Sequence, residues 1–495
     1  MTASLPRFAA RPVAAVLAGY AVLLTALSGR YGYHRDELYF LVAGRHLAWG
    51  YVDQPPLTPV LARISPAVFG DTPAGLRVAA TVTGLLTVLV VALVTRELGG
   101  GRGAQVLAAC CAVASGYALA VAHMVSTAGT DLLFWVLVCW LALRLLRTGD
   151  GRYWVPLGLA VGLGLQNKYL LLLLVAALLV ALLIAGPRQV LRTRWLAAGI
   201  AAAAAVVVPN LWWQAARGWP QLTVARGISE GDGWENRALF VPLQLMQLSP
   251  FLVPFWVAGL VRLWRQPELR WARPVAVAYP VLAVVLLVTG GKPYYALALL
   301  MVLTAAGCQP VLSWARARRR PVRRVLVAAA LVAALAGSAV ITLPVLPASR
   351  LGPVLAINKE QGEQVGWPDL VSQVASVWEQ IPAADRGRAV IFTGNYGQAG
   401  AIVRYGPEHG LPAPYSGHMS FADWGAPPDS ANGPVLLVRQ AGNEALERMF
   451  AGCRDAGRVG NRAGVDNEEH GSHVVLCTGT TEPWSALWPR LRHYY

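Results

Sequence analysis

The chain has 495 residues, 56% of them hydrophobic and only 14% charged, with a mean hydropathy of +0.47. Soluble domains carry about 25% charged residues, so this composition argues against a soluble protein and for a multi-pass membrane protein. The formal net charge of +16 would suit nucleic acid. The arginines, however, sit in short connections between apolar runs, the signature of cytoplasmic loops, which argues against that partner.

Apolar runs long enough to cross a hydrocarbon core of about 30 Å recur along the first 345 positions. They are expected near 12–28, 75–95, 104–122, 129–146, 154–167, 169–186, 195–212, 239–261, 273–290, 294–311 and 325–345. That makes about eleven transmembrane helices. Only Arg7 and Arg11 precede the first run and no small-residue cleavage site is visible, so it reads as a retained span. With the N-terminus cytoplasmic, the groups Arg96/Arg102, Arg144/Arg147/Arg152, Arg188/Arg192/Arg194 and Arg262/Arg265/Arg270/Arg273 all fall inside. So does "RARRRPVRR", Arg316 to Arg324. Residues 31–57 and everything after Leu346 then fall outside, dividing the chain into a membrane domain, 1–346, and an extracytoplasmic domain, 347–495.

The first exterior connection contains "YGYHRDELYFLVAGRHLAWGYVDQPPL", which sets Asp36, Glu37 and Asp53 against the membrane edge. Neighbours on a helix point about 100° apart, so one of Asp36 and Glu37 can face a cavity while the other meets a structural partner. Capping of the helix start by these acids is the plainer alternative. Pro55 and Pro56 fix the backbone after Asp53 and Gln54, which suits presentation of a side chain and makes Gln54 a substrate-binding candidate. "LTPVLARISPAVF" is too short to span and is expected to lie in the interface. In "HMVSTAGTDLLFW", Asp131 lies just inside the next apolar run, where a carboxylate is costly without a task or a partner such as an arginine. His123 in the same stretch reads as a packed residue.

Lys168 in "GLQNKYLLLL" and Lys292 in "TGGKPYYALALL" both fall on the exterior side. Each is either an anchor that snorkels to the interface or a point charge for phosphate. Residues 212–237 are expected to form a second long exterior loop, anchored by Trp212, Trp213 and Trp219.

After Pro347 the composition turns mixed. "PDLVSQVASVWEQI" has helical periodicity, while "RAVIFTG", "GPVLLVR" and "HVVLCTG" read as buried strands, with "NEALERMFAGC" as a helix between two of them. The alternation predicts a small α/β domain. Cys453 and Cys477 can pair if this part lies in an oxidising compartment, whereas Cys110, Cys111, Cys139 and Cys308 are packing residues of apolar runs. "PYSGHMSFADWG" offers His418 and Asp423 as acceptor contacts. "GNYGQAGAIVRYG" lacks the spacing of a dinucleotide loop and the lysine of a P-loop.

Taken in order, "HRDELYFLVAGRHLAWGYVDQPPL", "LQNKYLLLL", "VPNLWWQAARGWPQL", "GKPYYALALL" and "GNYGQAGAIVRYG" resemble the bacterial branch of glycosyltransferase family 39. That family holds the protein mannosyltransferases and, more distantly, the lipid A aminoarabinose transferases. The resemblance implies a GT-C fold and transfer of a sugar from a polyprenyl-phosphate donor to a glycan, lipid or protein acceptor on the exterior face. It also implies roles. Asp36 matches the family's catalytic carboxylate, with Glu37 beside it; Asp131 matches the second-loop aspartate. Lys168 matches a donor-phosphate lysine, and Lys292 with Tyr295 resembles a later lipid-phosphate site. Asp53 matches a metal ligand of the aminoarabinose branch. That branch also uses a histidine in a later loop, and residues 212–237 contain none, so a divalent metal is not firmly implied.

The chemistry agrees. A phosphodiester-linked sugar has a good leaving group, so the reaction needs a base for the acceptor hydroxyl and positive charge on the departing phosphate. Asp36 would supply the first, Lys168 and Lys292 the second, with inversion at the sugar carbon. The alternative is a transporter, which should show corresponding broken helices in two halves. No internal repeat is visible in the sequence.

Overall fold

The computed structural model describes residues 5–317 and 321–494. Arg318, Arg319 and Arg320, the centre of the densest arginine group, lie outside the described residues. All eleven expected apolar segments are helical. Seven helices among the described residues are long and apolar enough to cross a membrane: Ala10–Leu27, Pro73–Glu97, Thr127–Thr148, Arg194–Ala216, Pro267–Thr289, Pro293–Arg316 and Val322–Thr342. Two further segments are bent pairs, Arg102–Val113 with Gly116–His123 at 64° and Gly233–Met246 with Pro250–Arg265 at 66°. The last two, Trp154–Leu165 and Leu171–Ala185, are 12 and 15 residues long, too short to span alone.

The two bends satisfy one another. Breaking a helix frees backbone groups that hydrocarbon cannot hydrate. At the first bend Gly116 N–H donates to the Leu248 carbonyl (2.8 Å) and Tyr117 N–H to that of Gln247 (2.9 Å), both at the second bend.

Residues 212–237 are not the exterior loop expected from their polarity. Arg194–Ala216 is followed by a second helix, Pro220–Met246. Between them Gly218 and Trp219 adopt positive φ (71° and 60°), which ends one helix, and Pro220 starts the next at a position where its missing N–H costs nothing. The polar run "ISEGDGWENR" is thus a polar stretch of helix. Leu57–Phe69 is the expected short helix, with Ile64, Val68 and Phe69 exposed.

The C-terminal sheet contains the three expected strands, Val390–Thr393, Val435–Arg439 and His473–Cys477, and two further ones, Tyr415–Ser416 and Arg454–Arg458. Val390–Thr393 pairs in parallel with Tyr415–Ser416 and with Val435–Arg439; the other pairings are antiparallel. The segment 443–453 is not the expected α-helix. It forms a short 3₁₀ helix, Glu444–Met449, then the strand Phe450–Ala451, drawn out by antiparallel pairing with Gly479–Thr480.

Side chains alternate across the sheet. Val390, Phe392, Val435, Leu437 and Val475 pack under Trp484 and Trp488 of the last helix. Ile391, Leu436, Val438 and Val474 face the helix Trp367–Trp378, and their cluster continues into Leu38, Tyr39, Phe40 and Val42 of the connection between the first two membrane helices. The C-terminal region therefore shares one core with the segment that carries the acidic residues. The contact is close: a Cβ at Gly400 would stand 3.1 Å from the Leu38 carbonyl oxygen.

Cys453 and Cys477 form a disulfide, the pairing the sequence left open. Their sequence separation is 24 residues. Closing a loop of that size removes unfolded-state entropy worth about 3 kcal/mol. A double Cys→Ser variant is expected to lose roughly that much stability on denaturant unfolding of the purified protein; an unchanged midpoint would contradict this.

Candidate active site

The site is built on the helix Arg35–Ala43. His34 caps it: its backbone N–H donates to Glu37 Oε2 (2.9 Å), and its ring Nδ1 accepts from the Asp36 amide (3.2 Å). Glu37 then turns inward. It and Arg77 are both fully buried, with Arg77 Nη2 donating to Oε2 at 2.8 Å and Nε to Oε1 at 3.0 Å. The Val125 amide donates to Oε1 at 3.0 Å. Arg77 also donates to the carbonyls of Ser28 (2.8 Å) and Gly32 (2.6 Å) and to Gln364 Oε1 (3.1 Å). Both Glu37 oxygens are engaged and sealed from solvent, so this geometry gives Glu37 a structural partner and does not carry the expectation that it shares the catalytic role.

Asp36 is the open member of the pair. Its side chain is 34% exposed, accepts from the Tyr396 hydroxyl at 2.8 Å, and has Arg35 Nε at 3.8 Å. Asp53 accepts from the Tyr39 hydroxyl at 2.6 Å, and the rings of Tyr39 and Tyr396 lie 5.1 Å apart. Burial pushes the Asp53 carboxyl up to about 6; the Tyr39 hydroxyl opposes this and the charge of Asp36 adds to it. The two aspartates are thus close enough to feel each other. Gln54 is 1% exposed, and neither its side-chain oxygen nor its nitrogen has a hydrogen-bond partner within the protein. A buried amide left open at both ends calls for a polar occupant.

The turn after Asp53 is clipped to a second cluster. Leu57 N–H donates to the Gln166 carbonyl (2.9 Å), and Thr58 Oγ1 to Asn167 Oδ1 (2.8 Å), immediately before Lys168. Lys168 Nζ lies 5.1 Å from the ring centre of Tyr295 and 5.8 Å from that of Tyr294. Asp131 is buried, accepts from Trp135 Nε1 at 3.0 Å, and is in electrostatic contact with Lys168. The charge facing it is a lysine and not the arginine considered from sequence. Lys292 opens the turn that carries Tyr294 and Tyr295, and acts electrostatically on Glu360.

His418 is not an open acceptor contact. Its ring is stacked on His493 at 4.6 Å and lies 5.0 Å from that of Tyr396, and burial pushes its imidazole down to about 3. It is a neutral packing residue behind Tyr396. Asp423 is paired with Arg492. Among the described residues no group of three or more His, Cys, Asp or Glu side chains could hold a metal ion. Asp53 has a tyrosine for a partner where a metal site would need further ligands, so these residues do not fit a divalent metal.

Sequence reasoning missed His34, Tyr39, Arg77, Glu360 and Tyr396. For His34 a signal was present: His34–x–x–Glu37 has the spacing of a capping box. The others meet the site across 14 to 360 positions of chain, which no local pattern reveals.

A bundle of bent and short apolar helices, with a sheet-bearing C-terminal domain seated on the first connection, is a multi-pass membrane architecture whose fold is shared with solved structures. Residues 53–213 match the family model for dolichyl-phosphate-mannose-protein mannosyltransferases. Two solved structures cover nearly the whole molecule. ArnT from Cupriavidus metallidurans in the apo state aligns with a TM-score of 0.58 at 15% identity, over 94% of this chain and 98% of that one. ArnT bound to undecaprenyl phosphate aligns at 0.57 and 16% identity, over 94% and 97%. At such identity the likeness establishes the fold. A comparison with curated proteins gives no match.

Proposed function

We propose that the protein is a membrane glycosyltransferase that moves a monosaccharide from a polyprenyl-phosphate donor to an extracytoplasmic acceptor, with inversion. The observation that carries this reading is the pairing of one open, oriented carboxylate, Asp36, with a separate lysine and tyrosine cluster, joined through the Asp53–Thr58 turn. Asp36 takes the acceptor's hydroxyl proton while the oxygen attacks the sugar carbon and the bond to phosphate breaks. Lys168 and Lys292, with Tyr295, hold the departing polyprenyl phosphate. Asp131 keeps Lys168 in place, and the open amide of Gln54 meets the donor. Glu37 acts through position alone, locked to Arg77. In this reading the N-terminus is cytoplasmic, and residues 347–495 form an exterior domain that completes the site through Tyr396. No step needs a metal.

The transporter alternative is not favoured. Half-helix ends that would coordinate a substrate are spent on one another here, since the amides of one bend bond the carbonyls of the other.

Lys168→Ala and Lys292→Ala are each expected to weaken binding of undecaprenyl phosphate. A charge-assisted contact is worth about 1.5–3 kcal/mol, or roughly 10–150-fold in affinity. Wild-type affinity in both variants, at normal expression, would make the lysines interface anchors and remove the phosphate site.

A further inference from the structure

We propose that His34 and Glu360 form a positioning dyad that aims Asp36; this rests on reading Asp36 as the base. His34 is fully buried, yet both of its ring nitrogens are in use: Nδ1 accepts from the Asp36 amide at 3.2 Å, and Nε2 meets Glu360 Oε2 at 3.1 Å. Serine, threonine, aspartate or asparagine would cap a helix with an oxygen that is always an acceptor. An imidazole can do so at Nδ1 only when its single proton sits on Nε2, because the other tautomer or the charged ring would point N–H at N–H. A carboxylate on Nε2–H is the device that sets that tautomer and holds the ring plane.

Glu360 does not reach His34 by chance of a loose loop. It lies on a short 3₁₀ helix, Lys359–Gln364. Asn358 Nδ2 ties the start of this element to the Ile341 carbonyl (2.9 Å), and Gln361 Nε2 ties it to that of Leu343 (3.1 Å), both at the end of the last membrane helix. Its far end is held by Arg77 through Gln364. Glu360 also feels the charge of Lys292. The carboxylate thus bonds the cap of the helix that bears the base and feels the charge of the lysine assigned to the donor phosphate. Asp36 is fixed from two sides, by this cap at its backbone and by Tyr396 at its carboxylate. The linker leaving the membrane domain becomes part of the catalytic geometry.

Two measurements test this on the full-length protein in detergent. In protein labelled with ¹⁵N-histidine, the His34 signals are those lost in His34→Asn. They should show a bare Nδ1 and a protonated Nε2, and Glu360→Ala, a change at an exposed side chain, should mix the tautomers. In turnover, with undecaprenyl-phosphate mannose as the first donor tried, Glu360→Ala should lower kcat by up to about 10²-fold with KM for the donor unchanged, the cost of a misaimed group. In the His34→Asn background, where the amide oxygen caps without assistance, Glu360→Ala should cost nothing further. A single tautomer that survives Glu360→Ala overturns the dyad, as does a Glu360→Ala loss that is absent in the wild type or equal in both backgrounds. An active Asp36→Asn would instead overturn the base, leaving the tautomer result intact.

Discussion

Asp36→Asn is expected to lower turnover by about 10²–10⁴ while undecaprenyl phosphate affinity and unfolding temperature stay near wild type. Asparagine has almost the shape of aspartate, and its amide oxygen can still accept from Tyr396, which now donates to Asp36 Oδ1 at 2.8 Å. The backbone amide keeps its bond to His34. Only the proton acceptor is lost. Asp423→Asn serves as the control, because Asp423 is committed to Arg492 and lies at the end of the short 3₁₀ helix Met419–Asp423. If Asp36→Asn keeps more than about a tenth of wild-type turnover at saturating donor, the loss is below the general-base range and Asp36 is not the base. Asp131 is the next carboxylate to test. It already faces Lys168, so its substitution would be expected to change donor affinity as well as rate.

Arg77→Leu should be the most damaging substitution outside the chemistry. It strips the counter-charge from Glu37, with both side chains at zero exposure, and leaves the carbonyls of Ser28 and Gly32 without their donor. Breaking a buried ion pair from one side costs about 3–5 kcal/mol, because the remaining charge stays buried. The pair Arg77→Leu with Glu37→Gln should recover part of this loss, since a neutral amide tolerates that environment better. Denaturant unfolding of the purified variants is the measurement. A single variant as stable as wild type would contradict the structural role of the Glu37–Arg77 pair and would reopen a proton-transfer role for Glu37.

The membrane part was legible because hydropathy is a local property: each of the eleven apolar runs became helix. Residues 212–237 misled for the same reason, since polar side chains lowered hydropathy without breaking the helix. The candidate carboxylates and lysines were found through the cost of charge in an apolar chain. Which of Asp36 and Glu37 is open could not be read, because the answer depends on Arg77, 40 positions away. Tyr396 and Glu360 were out of reach for a stronger reason. They act through folding of the C-terminal region onto the first connection, across 360 and 326 positions. The strand pattern announced the sheet but not what it would sit on.

Polyprenyl-phosphate-dependent transfer is tested most directly by reconstituting the purified protein in liposomes with a panel of undecaprenyl-phosphate sugars labelled in the sugar. Bond cleavage is followed by the appearance of free undecaprenyl phosphate and of label on an acceptor or in water. The account predicts that at least one donor is cleaved by the wild-type protein, and that Asp36→Asn abolishes the cleavage while still binding undecaprenyl phosphate. Intact sugar-lipid or free sugar moved across the membrane, with no donor cleaved, would contradict it.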